Sequence, residues 1–283
     1  RGPDYVRALS IYGLALGLAA VGGQVIGGAL VETGIGWRGC FLINVPIGLA
    51  ALAAAPRFVP ESRAERGRRL DLAGAAIVAV GLTAVLLPLI EGRELGWPAW
   101  TWAALAAAPL ILAAFVRRQR RLAREQGDPL LDLRLFSSRS FSAGMATQLL
   151  LASAQAAFFV FLAIYLQTGR GLSALDAGLV FAILALAYVV TSGPAPRLTE
   201  RYGRKVIAAG GIALTDGLAL LAIVIGDVGT GGSLLALVPG LVLVGAGIGL
   251  CYTPLTSIVL ATVEPARAGS ASGAMSTIQQ VGY

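Results

Sequence analysis

The sequence predicts an all-α, polytopic membrane helical bundle. Three observations predict it: a charge-poor composition, charge-free runs of membrane length, and arginines that alternate between the intervening segments. Of 283 residues, 57% are hydrophobic and 13% charged, against about 25% charged in ordinary soluble domains. Mean hydropathy is +0.78. So few charges cannot clothe a soluble particle of 29.0 kDa, and lipid must cover most of the surface. A soluble enzyme and a disordered tail are thereby excluded. Histidine is absent, which removes imidazole metal sites, His general bases and Ser-His-Asp triads. No metal and no cofactor is expected. Cys40 and Cys251 lie far apart in apolar runs and fit no metal spacing.

Neutral runs lay out the elements in order. The first covers 8–31, and the next cover 39–56, 72–90, 95–116, 140–169 and 177–196. Then come 206–226, interrupted only by Asp216, and 228–263 without interruption. A membrane-crossing helix needs about 20 mostly apolar residues, because the hydrocarbon is about 30 Å thick. Each of these eight runs meets that need, and 268–283 is a ninth, still apolar at Tyr283. Eight complete transmembrane helices plus a truncated ninth are expected. The runs are rich in Ala and Leu, lack period-2 alternation and exceed barrel-strand length, so they read as helices. Arg1 and Arg7 precede a run that continues without a cleavage site, so no signal peptide is read there. With no initiator Met and an end inside a span, residues 1–283 are expected to be a fragment of a longer membrane protein.

Basic residues decide the orientation. Nineteen fall in the segment before the first run and in alternate connections after it, whereas the opposite side holds only Arg38, Arg93 and Arg170. Basic residues resist translocation, so the richer side faces the cytoplasm. All four tryptophans, Trp37, Trp97, Trp100 and Trp102, then fall at the outer boundary, where amphipathic rings belong. The net charge of +7 is accordingly a topology signal. It is spread over several loops without interleaved aromatics, unlike a nucleic-acid footprint.

Bundles of this kind carry solutes, conduct ions, transduce signals or perform intramembrane chemistry. Convergent acids and bases, a selectivity filter and a charged ring are all missing from the pattern, whereas helix-breaking glycines and midplane polar groups suit a carrier. In the first run Gly13, Gly17, Ala20, Gly23, Gly27 and Gly28 share roughly 140° of one helical face, which permits close backbone approach.

The stretch Gly23-Gln24-Val25-Ile26-Gly27-Gly28 resembles the antiporter signature on the fifth helix of proton-coupled drug exporters of the major facilitator superfamily. There Gln24 stands where the signature has proline. Residues 37–48, from Trp37-Arg38 to Pro46-Ile47-Gly48, resemble the entry to the family's sixth helix, and 129–141 resemble the cytoplasmic lead-in to its second half. Residues 196–205, with Glu200-Arg201-Tyr202-Gly203-Arg204-Lys205, resemble the superfamily's charged cytoplasmic loop, with Pro196 and Glu200 as departures. In their order these strings resemble the fourteen-helix drug:proton antiporter branch, covering roughly helices 5 to 13. The resemblance implies that 1–56 end the first half, 71–116 are an inserted helix pair, 117–139 a cytoplasmic loop and 140–283 the truncated second half.

Several residues are candidates for work. Asp216 is the acid deepest in a span, and a carboxylate there either takes and releases a proton or stays locally hydrogen-bonded beside Thr215. Gln148, Gln155 and Phe159 share a stripe with Gly144 and Ala152. They either line a substrate cavity, as the resemblance implies, or bond neighbouring helices. Tyr252, Thr253 and Thr256, around Pro254, are cavity candidates on the same ground, or packing groups. The resemblance makes Glu200, Arg201, Gly203, Arg204 and Lys205 a charge latch; the plainer alternative is positive-inside anchoring. Asp71 and Asp176 each open a span and read as helix N-terminal acids. The Arg117–Arg124 stretch reads as an inner-surface anchor touching anionic lipid.

The implied function is proton-coupled efflux of amphipathic, toxic small molecules by alternating access, without enzymatic chemistry. The proton gradient is the driving force, and the cytoplasmic membrane of a bacterium the location. The expected partners are the lipid bilayer, a small amphipathic substrate and protons, with no nucleic acid, and a monomer is the expected state. A facilitator-type importer or uniporter, or a membrane sensor without transport, are the alternatives.

Overall fold

A computed structural model describes Ala19 and residues 22–58, 71–125, 127–261, 263–264 and 267–283. Every regular element among them is helical. In chain order these are α1 (Gly22–Val31), then α2 (Arg38–Leu42), α3 (Asn44–Phe58), α4 (Leu72–Glu91), α5 (Ala99–Arg124) and α6 (Arg139–Ile164), with α7 (Ala174–Ser192), α8 (Ala195–Tyr202), α9 (Lys205–Val228), α10 (Val238–Ala261) and α11 (Ala268–Gly282) after them. Short 3-10 turns at Leu133–Ser137 and Leu234–Leu237 lead into α6 and α10, and a π-turn at Tyr165–Gly169 closes α6.

Seven helical segments among the described residues are long and apolar enough to cross a membrane, with α2 and α3 acting as one. Large apolar side chains point outward along them, with Leu52 72% and Leu110 73% exposed. In water each such side chain would cost about 1.5–3 kcal/mol relative to burial, so these faces suit hydrocarbon. The run 228–263, expected as one over-long span, is divided. Val228 ends α9, Gly229 turns with φ 58°, and the helical course resumes at Leu234. The cause is local: Gly229, Gly231 and Gly232 disfavour helix, and Gly229 supplies the positive φ of the turn.

The chain divides into two compact units. One comprises residues up to Pro60 with Ala157–Ile258, the other Glu61–Ala156 with Val259–Tyr283. In the first, α7, α9 and α10 pack backbone to backbone. A Cβ placed on Gly217 would stand 2.7 Å from the Val244 amide nitrogen, and one on Gly247 2.6 Å from that of Leu214. Gly245 lies against the Leu184 carbonyl, and Gly249 against the Thr191 hydroxyl. Lipid offers no hydrophobic drive between apolar helices, so van der Waals contact through small residues holds them together. Around these contacts Phe181, Leu184, Leu221, Leu241 and Val244 form a buried cluster.

In the second unit α4 and α5 form a hairpin. Gly81 lets Leu112 approach to 2.7 Å of a would-be Cβ, and Trp97 and Trp102 meet at 5.4 Å beside the turn. Gly144 of α6 lies against Val259, and a Cβ on Gly282 of α11 would come within 2.6 Å of the Ala152 Cβ.

Candidate functional site

Within the first unit, the helix carrying the glycine signature touches α7. A Cβ on Gly178 would stand 2.6 Å from the Gln24 carbonyl oxygen, and one on Gly28 2.6 Å from that of Ala174. Gly28 is buried, while Gly23 and Gly27 have open space around them among the described residues. Gly27 contributes its carbonyl, which accepts a 3.6 Å hydrogen bond from the Cys40 thiol. With Gln24 in place of proline, α1 runs through this point without a break. Gly13, Gly17 and Ala20 lie outside the described residues.

Just beyond Val31, at the end of this contact, stands an acid that sequence reasoning missed. The exposed Glu32 carboxylate accepts a 3.1 Å hydrogen bond from the Leu175 amide at the start of α7. The Ser173 hydroxyl, and then that amide, hold its carboxyl below the usual range. Ser173 is itself the N-cap of α7, and its oxygen accepts the Asp176 amide at 3.1 Å. Two carboxylates, Glu32 and Asp176, thus gather where the positive end of the α7 dipole favours negative charge. One available signal was an acid four residues beyond Gly28.

Gln148 and Gln155 belong to the second unit. Gln148 is 1% exposed, and neither its amide nitrogen nor its amide oxygen has a hydrogen-bond partner among the described residues. Gln155 is half-buried and accepts a 3.0 Å hydrogen bond from the Tyr283 hydroxyl. Phe159, in the first unit, stacks on Phe181 at 5.5 Å and meets Phe158 edge-on at 5.7 Å. Phe159 and Tyr252 both flank the buried cluster of that unit. Thr253 and Thr256 are half-buried, and the Thr256 hydroxyl donates to the Tyr252 carbonyl at 3.0 Å.

Asp216 and the charged residues around Gly203 face outward, whereas Asp71 is buried. Asp216 is exposed on α9 beside Thr215, whose hydroxyl donates to the Gly211 carbonyl at 2.9 Å. Glu200, Arg201, Arg204 and Lys205 are exposed around Gly203, which turns the chain from α8 into α9 with φ 58°. None of the four forms an ion pair among the described residues, and the Arg201 guanidinium lies 5.2 Å from the centre of the Tyr202 ring. Asp71 N-caps α4, accepting the Gly74 amide at 2.8 Å.

Comparison with known proteins bears on this arrangement. The profile of the Major Facilitator Superfamily matches residues 2–283. The chain belongs to that superfamily. It is 35% identical to a probable actinorhodin transporter of Streptomyces coelicolor over 99% of its own length and 49% of the relative's. It is also 35% identical to the cephamycin export protein CmcT of Amycolatopsis lactamdurans, over 99% and 57% of the two lengths. Identity to the multidrug resistance protein Stp of Mycobacterium tuberculosis is 32%, over 99% and 50%. The chain spans about half the length of the curated relatives it matches. These relatives are named as transporters and exporters, not enzymes. Superfamily membership and the seven apolar segments make this a multi-pass membrane protein working in a lipid bilayer.

Proposed function

We propose that this chain is the central part, roughly helices 5 to 13, of a fourteen-helix drug:proton antiporter that exports amphipathic compounds across the cytoplasmic membrane. The observation that carries the reading is the contact of α1 with α7, where Gly28 and Gly178 bring two backbones together at the antiporter signature. With no interlocking side chains at those points, the helices can separate and reseat without repacking a core. That is what alternation between two access states requires. The names of the relatives support export. Within the first unit, the stacked Phe159 and Phe181 suit substrates with aromatic surface. On this reading 1–56 close the first half, α4 and α5 are the inserted pair, and 140–283 belong to the second half, with eight complete spans and part of a ninth.

Coupling demands that proton and substrate favour opposite access states, since a ligand with equal affinity for both shifts nothing. Asp216, Glu32 and Asp176 are the acids to test for the proton, and Glu200, Arg201, Arg204 and Lys205 for a cytoplasmic latch. The decisive experiment uses the intact protein in proteoliposomes with an imposed pH gradient and a fluorescent amphipathic cation as cargo. Antiport gives cargo movement that requires the gradient and moves protons in the opposite sense. Cargo flux indifferent to the gradient would assign a facilitator, and no flux with a wide panel of compounds would favour a sensor.

A further inference from the structure

The segment joining the α4–α5 hairpin to α6 is tied on both sides by side chains outside the candidate transport residues. On one side stands Gln119 of α5, fully buried. Its amide nitrogen donates to Asp71 Oδ2 at 2.9 Å, and its amide oxygen accepts the Leu131 backbone N–H at 3.1 Å. Asp71 is anchored in turn: its Oδ1 accepts from Arg118 Nε at 2.9 Å, Arg118 Nη2 at 2.7 Å and the Gly74 amide at 2.8 Å. Arg118, first of all, holds the Asp71 carboxyl below its ordinary value.

On the other side, through Leu130 and Asp132, the ties run to the start of α11. The Asp132 backbone N–H donates to Ser270 Oγ at 3.0 Å, and Ser270 Oγ donates to the Leu130 carbonyl at 3.2 Å. Asp132 Oδ2 pairs with Arg267 Nε at 3.0 Å, with the Asp132 side chain only 16% exposed. Asp132 Oδ1 caps the following 3-10 turn by accepting the Arg134 amide at 3.0 Å. Pro129, which precedes the tied residues, stiffens the segment further.

We propose that residues 129–132 are a strap that locks the α4–α5 hairpin to the cytoplasmic end of α11, so that these three helices move as one body. A bare spacer would show solvated backbone and no long-range partners. Here consecutive backbone amides, Leu131 and Asp132, are spoken for by two different helices. Networks in which successive backbone and side-chain groups are paired in this way specify one arrangement. Within the transport reading, the hairpin is then a passenger fixed to α11 and not a free insertion. The tie itself does not depend on what is carried.

The test places spin labels at Arg124→Cys on α5 and Gly269→Cys on α11 in the intact protein, after Cys40→Ser and Cys251→Ala. Gly269 has no atom within 4 Å of a would-be Cβ, so a label fits there. A single narrow distance that stays unchanged between neutral and acidic buffer, and with or without an amphipathic cation, is the expected result. Gln119→Leu combined with Asp132→Ala should broaden that distance and shift it longer. Ser270→Ala, which removes a milder tie and leaves the helices intact, should broaden it less. Two distances exchanging between conditions in the parent protein, or a distance still narrow in a folded double variant, would overturn the strap. Absence of transport would fell the export reading yet leave these distances readable.

Discussion

Gln148→Leu is the substitution whose sign is most informative. The amide is 1% exposed and unpartnered among the described residues. An orphaned buried polar group costs about 1–3 kcal/mol. Leucine has nearly the same volume and fills the space without overpacking, a change that costs under about 1.5 kcal/mol. The balance is a net stabilisation of up to about 3 kcal/mol, largest where the leucine seats without cost. Were the amide satisfied, the same change would destabilise by about 0.6 kcal/mol, the average worth of a side-chain hydrogen bond between membrane helices. The two readings therefore differ in direction. Unfolding of the intact protein in mixed micelles by increasing SDS, followed by tryptophan fluorescence, reads that direction. A midpoint moved down by Gln148→Leu would refute the reasoning. A stabilising change that also slows efflux of hydrogen-bonding compounds would show why the strain is kept.

Three further outcomes follow from the geometry. Gly210→Ala should destabilise by about 1–3 kcal/mol, as overpacking does, because its Cβ would sit 2.8 Å from Cys251 Sγ and 2.9 Å from the Leu250 Cβ; its neighbour Gly211→Ala meets nothing within 4 Å and should be neutral or stabilising in the same SDS titration. Asp71→Ala removes a helix cap and the partner of Gln119, costing about 2 kcal/mol with the exposed Arg118 contribution discounted. The folded-state pKa of Asp71 lies below its ordinary 3.8, so its contribution is whole above that value and vanishes as pH falls through the depressed one. Acid titration of stability should show a loss in that window for the parent and not for Asp71→Ala. Cysteines at Arg93 and Arg120, both exposed, should react with an impermeant thiol reagent from opposite sides of the membrane, and labelling from one side would undo the topology.

Legibility in the sequence followed the range of the forces. Asp71 and Asp176 show in sequence as helix N-terminal acids because such contacts act within one turn; Asp71 caps α4, and Asp176 lies in the first turn of α7. The turn at Gly203 follows equally local rules, since φ 58° suits a residue without Cβ. The 228–263 run shows the limit of counting charges, because glycine clusters end helices without carrying any. Glu32 was missed for another reason: its partners, Ser173 and Leu175, are more than 140 residues away and depend on how α1 meets α7.

Solvent preference was therefore determined by sequence alone, and with it the helical class and the approximate spans. Each residue's partition between water and lipid depends on its own chemistry and a window of about 20 neighbours. Partnership was decided only by the tertiary structure. Gln148 and Gln119 are the same side chain on similar helices, yet one is an orphan and the other bridges Asp71 to Leu131. The side chain is the same, so the difference arises from which distant groups the fold brings within about 3 Å, and no local pattern encodes that distance.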